Sequence, residues 1–305
     1  MRVLAIGEML WDVFPEQELL GGAALNFCAN LERLGDTARL ITAVGNDARG
    51  HRAVEQMSAL GMNSQFVQTT VDAPTGAAVV SHETSGEPLF AVLRPAAYDR
   101  ITVDDALLAG IAEYDPHWIY FGTLFHTVER NEAFTRAVLQ AAPSARVFYD
   151  MNLRPNQWDF PLVQRLCSLA SILKLNEHEV RILAIQRGIN PDDPLESFTQ
   201  CVSEEFDVPT ICITLGANGC FVYDRGLSVH VPGHTIRAED TVGAGDAFSA
   251  AFLHGYDRGF PILETAQLAN AVGAVVASRS GATPPWTVNE LHAMSASLVT
   301  PRGCS

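Results

Sequence analysis

The stretch Glu239-Asp-Thr-Val-Gly-Ala-Gly-Asp-Ala-Phe248 decides how this chain is read. Two glycines and an alanine precede an aspartate that opens an apolar helix, predicted over 245–258. Residues this small let successive backbone N–H groups point into one concavity, and a helix start adds partial positive charge. Such a turn holds an anion without a cationic side chain. Asp246 falls in the first helical turn, where two readings are open: a capping carboxylate, or an acid that faces the bound anion.

Working outward, strands and helices alternate. Apolar runs at 2–7, 39–44, 117–121, 146–149, 171–174 and 210–214 read as buried strands. Helical patterns lie at 22–34, 50–60, 129–142, 161–169, 177–187 and 194–205, and beyond the turn at 262–278 and 288–298. This alternation predicts a mainly parallel α/β sheet with helices on both faces. Two β-type runs, 76–82 and 88–93, joined by Glu83-Thr-Ser-Gly-Glu87, interrupt it as a flap, and 219–231 reads as a hairpin around Asp224-Arg-Gly226. No repeat or proline-rich linker divides the 305 residues. The expectation is one domain, 1–305, with a lid from about 12–22 and 74–100 inserted in it.

Composition removes several alternatives. The chain is 48% hydrophobic with a net charge of −15, so it is globular and repels nucleic-acid backbones. Its 20 basic residues include a single lysine, Lys174. No Gly-Lys pair exists for a lysine-based phosphate loop, and Ile6-Gly7-Glu8-Met9 after the first strand is not a dinucleotide fingerprint. The six cysteines, at 28, 167, 201, 212, 220 and 304, form no C-x-x-C pair and read as reduced thiols of a cytoplasmic protein. Neither a secretion signal nor a membrane-spanning stretch is legible.

Asp240-Thr-Val-Gly-Ala-Gly-Asp246 resembles the C-terminal signature of the ribokinase-like (PfkB) carbohydrate kinases. Gly21-Gly22 with Asn26 resembles the N-terminal sugar-binding signature of that family, and Gly45-Asn-Asp-Ala-Arg-Gly50 its Gly-x-Asp-x-x-Gly element. Asp150-Met-Asn-Leu-Arg154, Asn176-Glu-His-Glu179 and Thr214-Leu-Gly-Ala-Asn-Gly219 resemble three further elements, in family order. Together they span about 7–285, and fructokinase-like members are the nearest in kind. The resemblance implies a ribokinase-like sheet with a β-flap, ATP as co-substrate and Mg²⁺. It implies Asp246 as general base, with Gly243, Ala244 and Gly245 as the hole for the transferring phosphate. It assigns Asp12, Gly21, Gly22, Asn26, Arg94, Tyr98 and Arg154 to the sugar. It assigns Asn176, Thr214, Gly216, Gly219 and Asn270 to the nucleotide, and Asn176 and Glu179 to magnesium, largely through water. A K⁺ site near Asp240, Val242, Arg279 and Gly281, and a homodimer through the lid, are further implications.

Each position also has a plainer reading. Gly21-Gly22 alone makes a tight helix entry, although bare backbone also admits a polyhydroxyl ligand. Asp12 alone is a loop carboxylate, and Asn176 with Glu179 a capping box. Arg154 either clamps a ligand or pairs with Asp150. Fructose is the first choice of substrate, with ribose and 2-keto-3-deoxygluconate as alternatives. A phosphorylated sugar ranks lower, because no lysine occurs in residues 1–173. A non-catalytic sugar-binding regulator is the reading from another class, against which the intact Gly-Ala-Gly-Asp stands.

Overall fold

The computed structural model describes residues 1–82 and 88–291, with side chains described outside 80–90. The chain opens with β1 (Arg2–Ile6), β2 (Leu10–Val13), β3 (Glu18–Gly21), α1 (Ala23–Arg33), β4 (Thr37–Gly45), α2 (Ala48–Ala59), β5 (Val67–Thr70), β6 (Gly76–His82) and β7 (Pro88–Val92). Then come α3 (Asp105–Tyr114), β8 (Trp118–Gly122), α4 (Thr123–His126), α5 (Arg130–Ala141), β9 (Arg146–Asp150), α6 (Phe160–Cys167), β10 (Ile172–Asn176), α7 (Glu177–Arg187), α8 (Leu195–Phe206) and β11 (Thr210–Thr214). A hairpin, β12 (Cys220–Asp224) and β13 (Leu227–Val231), leads to α9 (Ala244–Asp257) and α10 (Ile262–Ala277).

The nine-stranded sheet has the order β13-β12-β11-β10-β9-β8-β1-β4-β5. Every pairing from β5 across to β11 is parallel, and only the β11–β12 and β12–β13 pairs are antiparallel. Strands buried on both faces are continuously apolar, as β1 is. Val3 and Ala5 feed the core under α1, α9 and α10, whereas Leu4 and Ile6 feed the core on the opposite face. Phe27 of α1 stacks on Tyr120 of β8 with ring centroids 3.8 Å apart, which fixes α1 over the sheet. Strand order reverses direction at β1, with β4 on one side and β8 on the other. In such sheets that switch point, at the carboxyl ends of the strands, is where ligands bind.

A second, smaller sheet has the order β3-β2-β6-β7. It draws β2 and β3 from just after β1, and β6 and β7 from after β5. Asp47 ties the two layers. Its Oδ1 caps α2 at the Gly50 amide (2.8 Å) and accepts from Thr75 Oγ1 (2.7 Å), while Oδ2 accepts from the Thr75 amide (2.9 Å). The Gly45–Gly50 element thus positions the root of β6.

The expected alternation holds, with local differences. α3, α4 and β5 are absent from the sequence reading, and the 12–22 segment carries the end of β2 and all of β3. The α3 helix starts at Asp104, whose side chain accepts from the Leu107 amide at 2.8 Å. Only the start of the 288–298 helix, the 83–87 connection's flanks and five of the six cysteines fall within the described residues; all five are unbridged. Among the described residues no helix is long and apolar enough to cross a membrane.

Candidate active site

The turn before α9 is built as its composition requires. Gly243 sits at φ 78°, and a Cβ there would fall 2.2 Å from the Ala282 carbonyl oxygen, so only glycine fits. Asp240 holds the turn in place. Its Oδ1 accepts from the Val242 amide and its Oδ2 from the Gly281 amide, both at 3.0 Å. Among the described residues the N–H groups of Gly243, Gly245 and Asp246 find no acceptor, whereas that of Ala244 donates to the Thr241 carbonyl at 3.3 Å. The open donors are therefore those of Gly243, Gly245 and Asp246, which corrects the expectation that Ala244 supplies one.

Asp246 is not a cap: α9 has no side-chain cap, and its N-cap residue is Gly243. Instead Asn26 of α1 donates Nδ2 to Asp246 Oδ2 at 2.8 Å, joining residues 220 positions apart. Asp246 is 9% exposed and lines a cleft of about 270 Å³. Burial, and then the nearby Asp150 carboxylate, push its pKa up to about 7, against the pull of Asn26, Lys174 and Arg154. A carboxyl poised there is suited to taking a proton near neutrality.

Behind it lies a polar group that the sequence reading did not find. Asp150, fully buried at the end of β9, accepts from Ser249 Oγ at 2.9 Å. Lys174 Nζ stands 3.1 Å from Asp150 Oδ1, an ion pair although not aligned as a hydrogen bond. Asp150 thus pairs with Lys174, and Arg154 instead donates Nη1 to Asn152 Oδ1 at 2.8 Å. Burial pulls the lysine pKa down, but the Asp150, Glu179 and Asp246 carboxylates outweigh it, so the ammonium stays charged. It lines the cleft, and a Cβ on Gly245 would lie 3.2 Å from Nζ. A charged residue inside an apolar strand is the signal that could have revealed it, because lysine is rarely buried without a partner.

The far end of the cleft is formed by Glu8, Leu10, Asp12, Gly22, Asn26 and Arg154, with Ala78 and Val92 from the smaller sheet. Asp12 is 7% exposed, and burial pushes its pKa up to about 7 despite Arg154. Gly21 does not line the cleft; a Cβ there would fall 2.6 Å from Asp12 Oδ2, so this glycine makes room for the carboxyl. Arg94 and Tyr98, expected at the sugar, stand behind the cleft wall. Arg94 spends its donors on Asp99, Gln157, the Leu124 carbonyl and Thr127, and neither residue lines the cleft. Tyr98 is wholly buried under Gly76.

At the opposite end, Asn176 and Thr214 line the cleft, while Gly216, Gly219 and Asn270 lie outside it. Gly219 packs against the Val231 carbonyl, and Asn270 donates to the Pro232 carbonyl at 2.8 Å. Asn176 caps α7 and Glu179 completes the box, with Oε2 accepting from the Asn176 amide and Oε1 from the Leu153 amide, each at 2.8 Å. Each Glu179 oxygen thereby accepts one backbone amide, and the residue does not itself line the cleft. Among the described residues no group of three His, Cys, Asp or Glu is placed to hold a metal ion. That donor set fits Mg²⁺ only as an ion carried by phosphate and water, which is its usual preference.

A parallel α/β sheet with an amide-lined turn and a buried carboxyl at its carboxyl edge is the frame of a phosphoryl-transfer enzyme. The model of the pfkB family of carbohydrate kinases matches residues 13–289. The chain belongs to that family, and is a carbohydrate kinase. It is 27% identical to a fructokinase of Escherichia coli, over 83% of this chain and 84% of the relative. In fold it is similar to an ATP-bound fructokinase of Xylella fastidiosa, with a TM-score of 0.83 and 22% identity over 98% and 99% of the two chains. It is also similar to a double-mutant fructokinase of Vibrio cholerae in its fructose-, ADP- and potassium-bound form, with a TM-score of 0.80 and 23% identity over 96% and 97%.

Proposed function

We propose that the chain transfers the γ-phosphoryl group of ATP to a hydroxymethyl group of a neutral sugar, with fructose as the preferred acceptor and fructose 6-phosphate as product. One observation carries this reading. The Asp246–Asn26 pair and the turn with its open amides line one cleft of about 270 Å³. The relatives named fructokinase favour fructose among neutral sugars.

In the reaction, Asp246 Oδ1, which meets no protein donor among the described residues, accepts the hydroxyl proton as the sugar oxygen attacks phosphorus. The amides of Gly243, Gly245 and Asp246 face the charge on the transferring group. Lys174 adds one fixed positive charge beside Gly245, and Asp150 with Ser249 fixes where it stands. Magnesium, when bound with ATP, supplies counter-charge to the phosphates, and Asn176 is the residue placed to meet its water shell. Asp240 joins the turn to Gly281, so the 240–243 and 279–281 loops are the place for a monovalent cation. One of the similar structures is a fructokinase in a potassium-bound form, which supports a monovalent cation as a ligand. Lid closure over the sugar excludes water and limits hydrolysis of ATP.

The test is ADP release measured over fructose, ribose, 2-keto-3-deoxygluconate and adenosine. The expected result is the highest kcat/KM with fructose. Sugar binding without sugar-stimulated turnover on any of them would favour the regulator reading and overturn this one.

A further inference from the structure

Glu8 stands in Gly7-Glu-Met-Leu-Trp-Asp12, a stretch that resembles fructokinase-like members but assigns Glu8 no role; it is 5% exposed and lines the acceptor end of the cleft. It follows β1 directly, at the switch point of the sheet. Its Oε1 accepts from the Ala23 amide at 3.1 Å, which holds the carboxyl against the first turn of α1. Gly22 accommodates it: a Cβ there would lie 3.3 Å from Glu8 Cγ and 2.4 Å from the Glu8 carbonyl oxygen. Among the described residues Oε2 meets no donor from another residue.

A second observation points to a ligand. Asn26 is 3% exposed, its Nδ2 is committed to Asp246, and its Oδ1 is buried without a partner. A buried acceptor left unpaired is costly unless something donates to it. The open groups at this end are therefore mostly acceptors: Glu8 Oε2, the Asp12 carboxyl, Asn26 Oδ1 and Asp246 Oδ1. Two cations of the cleft lining face them, Arg154 and, on the Asp246 side, Lys174; Arg154 makes no ion pair within 4.0 Å with either Glu8 or Asp12. That inventory complements a ligand rich in hydroxyl donors. A sugar carboxylate or phosphate would shed its water into a site where acceptors outnumber donors.

We propose that Glu8 is a specificity-determining residue: its carboxyl accepts a sugar hydroxyl and selects neutral polyols against anionic sugars. This deepens, and rests on, the kinase reading above.

The experiment compares the wild type with Glu8→Gln and Glu8→Asp on fructose and on 2-keto-3-deoxygluconate, by steady-state kinetics and by calorimetric sugar binding without ATP. Gln keeps an oxygen for the Ala23 amide while removing the charge; Asp keeps the charge and shortens the reach. For Glu8→Gln the expected result is a ~10-fold or larger loss of kcat/KM for fructose, carried mostly by KM, with a relative gain for the anionic sugar. Together these shift the neutral-to-anionic ratio by ~10²-fold. Glu8→Asp loses fructose affinity but keeps the rejection of the anionic sugar. If both variants melt like the wild type and Gln leaves the ratio unchanged, Glu8 only caps α1 and the proposal is overturned. If Gln fails to fold, the Asp variant decides, and an unchanged fructose affinity there overturns it. Failure of the kinase reading looks different: the wild type then turns over no sugar, and the calorimetric ratios still decide the role of Glu8.

Discussion

Replacing Asn26 with Ala removes the only side-chain hydrogen bond that Asp246 receives among the described residues, the 2.8 Å contact to Oδ2. That bond favours the charged carboxylate, so its loss raises the Asp246 pKa from its value of about 7. A hydrogen bond to a charged group contributes roughly 1.5–3 kcal/mol, and 1.36 kcal/mol corresponds to about one pKa unit. The acid limb of kcat/KM is therefore expected to move up by ~1–2 units in Asn26→Ala. At pH 7 the ionised fraction falls from about half to roughly 1–10%, and activity recovers as pH is raised past the new limb. Asn26 also offers Oδ1 to the sugar, but losing that contact lowers the whole profile without moving the limb. The assay is kcat/KM for fructose from about pH 5.5 to 9.5 at saturating ATP and magnesium. An acid limb at the same pH in Asn26→Ala and wild type would refute the assignment of Asp246 as the titrating base.

Asp246→Asn should lower kcat by ~10²–10⁴-fold. The same change should stabilise the fold above neutrality. With its pKa raised to about 7, Asp246 contributes stability in its protonated form, and that contribution is lost as pH rises from the ordinary carboxylate range through 7. Thermal melts at pH 8 should show a gain of up to about 4 kcal/mol that disappears near pH 3.5. Lys174→Met leaves Asp150 buried without its cation and should cost roughly 3–5 kcal/mol. Adding Asp150→Asn should restore the melting temperature but not kcat, and recovery of both would reduce Lys174 to a structural partner. Gly243→Ala forces a Cβ against the Ala282 carbonyl; a kcat loss with fructose binding retained is expected, and wild-type kcat would exclude this turn as the phosphate hole.

The turn before α9 was legible because it is local. Its donors come from consecutive small residues, so composition alone implies the concavity. The parallel sheet was legible for a similar reason, since strands such as Val3–Ile6 are apolar on both faces. What stayed hidden depends on which strand ends meet. Nothing near Asp150 announces Lys174 or Ser249, which stand on β10 and α9. Nothing near Arg94 announces that Asp99, Gln157 and Thr127 consume its donors. Glu8 lies in a stretch similar to that of fructokinases, but its place in the cleft depends on α1 closing over it, which the local sequence does not show. The α3 helix was missed although Asp104 is a sound capping signal, because Gly110 interrupts its apolar stripe.

The charge of the chain can now be placed. A net −15 with one lysine argues against a basic surface that gathers phosphate from a distance. It does not argue against binding phosphate at one internal point. Three backbone N–H groups serve that point, and they add no net charge to the surface. The single ammonium is placed where burial alone would neutralise it, and three carboxylates keep it charged. Those same carboxylates include Asp150, the neighbour that helps to raise the pKa of Asp246. The base and the cation are therefore coupled through Asp150: a substitution there should move the acid limb and the phosphate affinity together. Asp150→Asn is expected to lower the limb of kcat/KM while weakening ATP binding. A limb that stays in place while ATP binding weakens would show that the two groups are tuned separately.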